Sequence, residues 1–149
     1  MNIAIGCDEA AFYLKETLKN HLIKKGFEVF DFGTKSKEET VLYPTVALDV
    51  ANAVKDDRCQ RGILLCGTGI GMAITANKVK GIRAAVCHDP YSTERSRKSN
   101  DAQIISMGAR IIAPELAEYL LDIWLDCDFS GAGSYEKVKK ITEYELSHH

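Results

Sequence analysis

Five short runs of apolar residues recur along the chain, at residues 2–7, 27–32, 63–65, 82–87 and 103–108. The third run contains no polar residue, which is typical of a strand that is buried on both faces of a parallel sheet. The second run alternates apolar with charged residues, which favours a position nearer the edge of the sheet. We therefore predict five strands.

Segments with a helical repeat of apolar residues lie between and after these runs. Their predicted inward faces are Ala11, Leu14, Leu18 and Leu22; Val46, Ala47, Val50, Ala51 and Val54; Met72, Ala73, Ile74 and Ala76; Leu116, Ala117, Leu120, Leu121 and Trp124; and Val138, Ile141 and Leu146. Pro44 and Pro114 fall in the first turn of two of these helices, where proline is tolerated. Strands that alternate with helices over short connections predict a three-layer α/β/α, Rossmann-like fold on a five-stranded parallel sheet.

Length and charge restrict the kinds of partner. The chain has 149 residues and a net charge of −2, so residues 1–149 fit one domain with a sizeable core. No basic run stands out, and we expect neither nucleic acid nor an anionic membrane as a partner. The expected ligand is a small molecule. His148 and His149 fit a truncated purification tag as well as a native end, and we assign them no role.

Cysteine usage indicates a reducing compartment. The cysteines are odd in number, irregularly spaced and without a Cys-x-x-Cys pair: Cys7, Cys59, Cys66, Cys87 and Cys127. This pattern argues against a disulfide framework and against a structural zinc site. The chain opens directly into a predicted strand, and no apolar run approaches about 18 residues. We therefore expect a cytoplasmic protein that is neither secreted nor membrane-spanning.

The segment Cys66-Gly67-Thr68-Gly69-Ile70-Gly71 is the leading candidate for a functional site. It follows the most apolar strand and precedes a helix, and its glycines let several backbone amides turn toward one point. The amino end of a helix attracts an anion, including a cysteine thiolate. Cys66 is therefore a candidate base or nucleophile.

Two other interpretations of this segment stay open. A dinucleotide-binding turn would have its third glycine one place later and would follow the first strand, whereas this segment follows the third. Alternatively, Cys66 is a small buried apolar residue, and the glycines only allow the strand and helix to pack closely.

Several polar residues follow the ends of other predicted strands. Asp8, Tyr43, His88 and Arg110 all lie at such ends, together with the cysteine and glycine segment. Each has a simpler interpretation when taken alone, since Asp8 fits a helix cap and Tyr43 a packing residue. Ligands of doubly wound folds bind beyond the carboxyl ends of the strands, so the convergence of these residues favours a binding site.

A set of short motifs resembles one known family from nearly one end of the chain to the other. The motifs are Gly6-Cys7-Asp8, Tyr43-Pro44, Cys66-Gly67-Thr68-Gly69-Ile70-Gly71, Ala76-Asn77-Lys78, Gly81-Ile82-Arg83-Ala84 and Asn100-Asp101. In this order and spacing they resemble the ribose-5-phosphate isomerase B and galactose-6-phosphate isomerase family. The resemblance implies an aldose–ketose isomerase without metal or other cofactor, and a homodimer or dimer of dimers with sites between subunits.

The same resemblance implies a role for each matching position. Cys66 would move a proton between C1 and C2 of the sugar, and Thr68 would assist ring opening. The remaining positions would bind the substrate: Gly67, Gly69 and Gly71 the enediolate, Asp8 and Asn100 the hydroxyls, Arg110 and Lys137 the phosphate, with Tyr43 and Ser99 beside them. The loops that carry Ser99, Asn100 and Arg110 resemble loops that reach into a neighbouring subunit's site.

Departures from the family pattern bear on the substrate. Glu9 and Ser99 stand where the ribose branch has histidines, and Gly133 and Lys137 stand where it commonly has arginines. A serine cannot shuttle a proton at neutral pH as an imidazole does. The segment around His88 looks more like a branch that acts on four-carbon erythrulose phosphates, which need no ring opening. We therefore expect a pentose or tetrose phosphate isomerase, with a non-catalytic sugar-phosphate-binding protein as the alternative.

Overall fold

The computed structural model describes residues 1–148; His149, one of the two terminal histidines, lies outside them. Five strands alternate with helices, as the apolar pattern predicts. The elements are β1 (Asn2–Cys7), a 3₁₀ turn (Glu9–Ala11), α1 (Phe12–Lys24), β2 (Glu28–Asp31), α2 (Tyr43–Lys55), β3 (Arg61–Cys66), α3 (Ile70–Ala76), β4 (Ala84–Val86), α4 (Pro90–Lys98), β5 (Ile104–Gly108), α5 (Pro114–Leu125) and α6 (Tyr135–Ser147).

All five strands are parallel and lie in the order β2-β1-β3-β5-β4. The chain moves from β1 to one side of the sheet and then returns to β3 on the other side. The order of the strands therefore reverses between β1 and β3, where the loops diverge and leave a crevice. The register pairs Cys7 with Leu65 and Cys66 with Gly108, so the carboxyl ends of β1, β3 and β5 lie side by side.

Two apolar cores, one on each face of the sheet, make the fold three layers thick. Ile5 and Leu65 pack with α1 and α5 on one face. Leu64 and Cys66 pack with α2 and α3 on the other face. Side chains alternate between the faces along a strand, and this period places the Cys66 side chain toward α3. The three-layer α/β fold with a five-stranded parallel sheet is confirmed.

Element boundaries differ from the sequence-based expectation mainly at the outer strands. β2 and β4 are both edge strands and are shorter than the predicted segments 27–32 and 82–87. At the outer edge of β4, the side-chain amide of Asn77 donates to the Ala84 carbonyl at 2.9 Å and accepts from the Ala84 amide at 2.8 Å. This side chain takes the place of a further strand, which protects the edge from pairing with another chain.

A buried lysine ties α1 to the end of β2. The Lys15 side chain is 1% exposed. It donates to Asp31 Oδ2 at 2.8 Å and to the Thr34 carbonyl at 2.9 Å. Thr34 in turn contacts the Cys7 sulfur at 3.5 Å, next to Asp8. A buried charge needs such partners to offset its lost hydration, so this cluster fixes the chain behind the carboxyl end of β1.

Two buried arginines hold the other end of the molecule. Arg61, the first residue of β3, donates to the carbonyls of Trp124 at 2.7 Å and Cys127 at 2.8 Å. Arg97 donates to the Cys127 carbonyl at 3.3 Å. Positive charges are stabilised at the carboxyl end of a helix such as α5, because the last carbonyls there lack partners within the helix. The arginines therefore fix the point from which the chain continues toward α6, at the amino ends of the strands.

The lengths and compositions of the helices show whether any of them could span a membrane. Within residues 1–148 no helix combines the length and the apolar character needed to cross a bilayer.

Asp31→Asn should cost about 2 kcal/mol of unfolding free energy near neutral pH, because the buried Lys15 then keeps only one carboxylate partner, the partly exposed Glu16 at 3.0 Å. Burial raises the pKa of Asp31, but hydrogen bonds from Lys15 and the Gly33 amide outweigh it and hold the pKa below the ordinary 3.8. Stability from such a group is present above the unfolded pKa and is lost as pH falls through the folded pKa. Urea unfolding should therefore show the difference between variant and wild type shrinking below about pH 4.

Asp49→Asn is the matched control for this prediction, since Asp49 is exposed on α2. It should leave the unfolding free energy unchanged within about 0.5 kcal/mol. An Asp31→Asn deficit of the same size at neutral and acid pH would contradict the ion-pair explanation.

Candidate active site

A cleft of about 470 Å³ opens at the carboxyl ends of β1 and β3, where the strand order reverses. Its walls come from four segments of the chain that are distant in sequence. It is lined by Asp8, Tyr43, Cys66, Gly67, Thr68, Ile70, Gly71, Ile74 and Arg110. Seven residues expected at the site from the sequence therefore meet in one cleft: Asp8, Tyr43, Cys66, Gly67, Thr68, Gly71 and Arg110.

Cys66 is the last residue of β3 and is 6% exposed. Its side chain packs in the core between the sheet and α3, yet its sulfur also borders the cleft. The Gly69 amide donates to the sulfur at 3.1 Å. Gly69 has a φ of 80°, a left-handed conformation that favours glycine, and this turns the amide back onto the sulfur. Cys66 is therefore both a core residue and the floor of the cleft.

The end of β5 supports the turn that follows Cys66. Amides just beyond this strand donate to the turn: Ala109 to the Cys66 carbonyl at 2.8 Å, and Arg110 to the Gly67 carbonyl at 3.0 Å. The hydroxyl of Ser106, a fully buried residue, donates to the Gly69 carbonyl at 2.7 Å. These bonds continue the ladder between β3 and β5 beyond the strands, so the sheet anchors the turn.

Tyr43 lies directly against Gly71. A Cβ added to Gly71 would stand 2.6 Å from the tyrosine hydroxyl oxygen and 2.5 Å from Cζ, far inside normal contact. Tyr43 is the first residue of α2 and Gly71 lies in the first turn of α3. The missing side chain at Gly71 therefore lets the aromatic ring form one wall of the cleft.

Asp8 serves as a helix cap and also lines the cleft. Its Oδ1 accepts from the Ala10 amide at 3.0 Å, at the start of the 3₁₀ turn. Burial raises the pKa of this carboxyl, the negative charge of Glu9 raises it further, and Arg110 acts in the opposite direction. The side chain consequently keeps its proton to a higher pH than an exposed aspartate does.

The Glu9 carboxylate binds the backbone of the loop before α2 and pairs with neither of the predicted phosphate-binding cations. Its Oε2 accepts from the Val41 amide at 3.3 Å, across the segment that leads into α2. Within residues 1–148, Glu9 forms no ion pair with Arg110 or Lys137. Its carboxylate therefore anchors the loop before Tyr43.

Three expected substrate-binding residues lie away from the cleft of their own chain. Ser99 caps α4, where its hydroxyl accepts from Arg95 at 3.2 Å, and the Asn100 carbonyl accepts from Arg83 at 3.2 Å. Helix α4 returns the chain to the amino end of β5, so Ser99 and Asn100 lie at the amino edge of the sheet. Cys66 is at the opposite, carboxyl edge, and the six residues of β3 place the two edges about 16 Å apart. Lys137 is exposed on α6, beyond the amino edge.

Two predicted site residues make contacts within this chain that bear on their roles. The Gly69 amide, predicted to bind the enediolate, donates to the Cys66 sulfur, because the left-handed turn directs it backward. The Arg110 loop is predicted to reach a neighbouring subunit's site, and within this chain the Arg110 side chain lines the cleft. A Cβ on Gly67 would lie 3.2 Å from Nη1 of Arg110, which shows how closely the guanidinium approaches the turn.

Ser106 is a supporting residue that sequence reasoning did not identify. It is the one polar residue inside an otherwise apolar strand segment, Ile104-Ile105-Ser106-Met107. A hydroxyl at such a position must find a partner or lose stability, so it was a usable signal. No group of three or more His, Cys, Asp or Glu side chains that could hold a metal ion occurs among residues 1–148.

Known proteins resemble this chain over nearly its whole length. The sequence model described as Ribose/Galactose Isomerase matches residues 3–141. D-erythrulose-4-phosphate isomerase of Pectobacterium atrosepticum is 56% identical over 145 residues, which is 97% of this chain and 95% of that protein. Ribose-5-P isomerase B of Listeria innocua is 58% identical over 145 residues, or 97% of each protein.

A solved structure gives the same result for the fold. Ribose-5-Phosphate Isomerase B of Clostridium thermocellum superposes with a TM-score of 0.97 at 46% identity, and the match covers 100% of each chain. The similarity in sequence and in fold therefore extends over nearly the whole chain.

Gly71→Ala should destabilise the protein by about 1–2 kcal/mol, because the added methyl group overpacks against the Tyr43 ring. Gly71 lies in a helix, where alanine is otherwise favoured by about 1 kcal/mol. The same change in a Tyr43→Ala background should therefore be neutral or stabilising. Urea unfolding of the four proteins gives the coupling free energy. Additive effects of the two changes would contradict the contact.

Proposed function

The chain belongs to the ribose/galactose isomerase family and is an aldose–ketose isomerase, and we propose that it acts on a four- or five-carbon sugar phosphate with Cys66 as the base. The observation that carries the proposal is the Cys66 sulfur, held by the Gly69 amide at the floor of the cleft beside Asp8, Thr68 and Arg110. The family and enzyme class expected from the motifs are confirmed, and the alternative of a non-catalytic binding protein is set aside.

Cys66 is the base because it combines a position in the cleft with a fixed orientation. Burial raises the pKa of the Cys7, Cys59 and Cys87 thiols, which favours the protonated form. None of these three lines the cleft within residues 1–148. In the proposed reaction, the Cys66 thiolate removes a proton from the carbon next to the carbonyl and returns it to the neighbouring carbon through a cis-enediolate.

The amides of Gly67 and Gly71 face the developing negative charge. Carbon acids of this kind are weak, so donors directed at the enediolate oxygen supply much of the catalysis, and one donor is worth about 3 kcal/mol. The Thr68 Oγ1 accepts from the Ile70 amide at 3.3 Å, which leaves its O–H proton to donate to a substrate oxygen. Asp8 then binds hydroxyls at the other side of the reacting carbons.

Charge along the cleft orients the substrate. Asp8 and Glu9 place negative groups at the carboxyl end of β1, whereas Arg110 lies beside Gly67 after β5. A phosphate of about −1.5 to −2 charge is repelled from the first side and attracted by the second. Arg110 offers a bidentate guanidinium for phosphate oxygens, so it determines the orientation of the substrate.

The substrate that fits these residues best has four carbons. Ser99 stands in place of a ring-opening histidine, and a tetrose 4-phosphate cannot close a furanose or pyranose ring through its phosphorylated carbon. The relatives include isomerases named for erythrulose 4-phosphate and for ribose 5-phosphate at similar identity, so overall similarity does not choose between them. We propose erythrulose 4-phosphate as the preferred class and ribose 5-phosphate as the second.

A second copy of the chain completes the site in this proposal. Ser99, Asn100 and Lys137 lie at the far end of the sheet from Cys66, so a single chain cannot bring them to the substrate. Apolar side chains flank the cleft in exposed positions, with Ile70 at 55%, Ile74 at 58% and Leu42 at 78% exposure. Ile70 and Ile74 lie one turn apart on α3, and a partner subunit that covers them brings its own Ser99, Asn100 and Lys137 to the cleft.

We propose that residues 1–149 act as one domain in the cytoplasm. Within residues 1–148 one sheet carries every strand, and the five cysteines are free thiols, which suits a reducing compartment.

Cys66→Ser should lower kcat by about 10³-fold, because a hydroxyl is a far weaker base than a thiolate. Wild-type protein that turns over its substrate in deuterated water should incorporate deuterium at the carbon next to the carbonyl. A panel of tetrose, pentose and hexose phosphates identifies the substrate. Cys59→Ser is the control, since Cys59 is buried beyond the carboxyl end of α2. Normal turnover by Cys66→Ser, with no label in the wild-type product, would overturn the mechanism.

Mixing two variants that are each impaired tests the shared site. When Cys66→Ser and Lys137→Ala proteins are unfolded, mixed and refolded, hybrid dimers contain one site with both native residues. Statistical mixing should recover about a quarter of wild-type activity at low substrate concentration. Activity no higher than the mean of the separate proteins would show that Lys137 serves its own chain.

A further inference from the structure

His88 lies at the carboxyl edge of the sheet and has no part in the proposed chemistry. It follows Cys87 after β4, and its half-buried ring reaches toward β5. The Cys87 amide makes the last regular ladder bond, to the Ser106 carbonyl at 3.1 Å. At the next amide of β5, that of Gly108, the acceptor is Nε2 of His88 at 2.9 Å. The His88 side chain thus supplies the acceptor that a backbone carbonyl would supply if the ladder between β4 and β5 continued.

Gly108 occupies the space directly beneath the turn that follows Cys66. A Cβ added there would stand 2.7 Å from the Thr68 Cα and 2.8 Å from the Gly67 carbonyl oxygen. The two residues after Gly108 donate their amides to Cys66 and Gly67. The position of the Gly108 peptide therefore determines the positions of the Thr68 and Arg110 backbones.

The bond requires one tautomer of His88. A ring nitrogen that accepts an N–H must carry a lone pair, so the proton of the neutral ring is on Nδ1. An imidazolium has no acceptor and would lose the bond. Burial lowers the pKa of His88, against the opposing effect of the adjacent Asp89 carboxylate, and this favours the neutral form.

We propose that His88 is a positioning residue of the isomerase: its neutral ring holds the Gly108 amide and thereby keeps the Gly67–Thr68 segment and Arg110 aligned with Cys66. This role rests on the proposed function, because its catalytic consequence passes through Cys66 and the amides that face the enediolate. It concerns alignment in the transition state more than binding of the ground state, so kcat is the sensitive quantity.

Two substitutions separate the acceptor from the volume of the side chain. In His88→Gln the amide oxygen stands near the position of Nε2 and can accept from Gly108. In His88→Leu a side chain of similar size fills the space but offers no acceptor. His88→Leu should lower kcat about tenfold with KM changed less than about twofold, and His88→Gln should retain most of kcat. His21→Gln is the control, because His21 pairs with Asp122 between α1 and α5 and does not line the cleft.

Nuclear magnetic resonance of ¹⁵N-labelled protein tests the contact without any assay. Long-range correlations of the His88 ring should show Nδ1–H, and the Gly108 amide proton should resonate downfield in the wild type and in His88→Gln but not in His88→Leu. An Nε2–H tautomer, a wild-type kcat in His88→Leu, or an equal loss of kcat in both variants would overturn the proposal. If no sugar phosphate is isomerised, the proposed function fails, and the tautomer and the Gly108 resonance still decide whether His88 holds this amide.

Discussion

The alignment of the carboxyl ends of β3 and β5 is the constraint on which the site depends. Cys66 pairs with Gly108 in the sheet, and the next two amides of the β5 side hold the carbonyls of Cys66 and Gly67. Hydrogen bonds of a sheet thereby extend into a glycine-rich loop that would otherwise be flexible. The same bonds determine where Arg110 leaves the strand, so the base and the main cation of the cleft share one support.

Cys66 shows how a core residue also serves as a reactive group. It packs with Leu64 and Met72, as a small apolar residue would, and this packing was the simplest interpretation of its place after a buried strand. Its position at the end of that strand, rather than in the middle, exposes the sulfur to the cleft. Burial excludes water from the reacting atoms, and the Gly69 amide supplies a polar contact that offsets part of the lost hydration.

Sequence patterns predicted the strands, the layers and the meeting of Asp8, Cys66 and Arg110, because parallel strands share one carboxyl edge. The same topology also accounts for Asn100, which lies in the connection from α4 to β5 and so must be at the opposite edge. The direction of a single amide is a different matter. The Gly69 amide faces the sulfur, and the Glu9 carboxylate faces the Val41 amide across 32 positions of the chain. Neither contact leaves a trace in apolar periodicity.

By itself, the sequence determined the order of strands and helices, the cysteine and glycine turn, and the family to which the motifs point. These properties are local, since the side-chain spacing and glycine content of about a dozen consecutive residues determine each of them. Only the tertiary structure decided that Ser106 and His88 support the turn, that the Gly69 amide faces the Cys66 sulfur, and that the Arg110 guanidinium lies against Gly67. The reason is that these contacts depend on strand register and on the path of each crossover helix, which join residues that are distant in sequence.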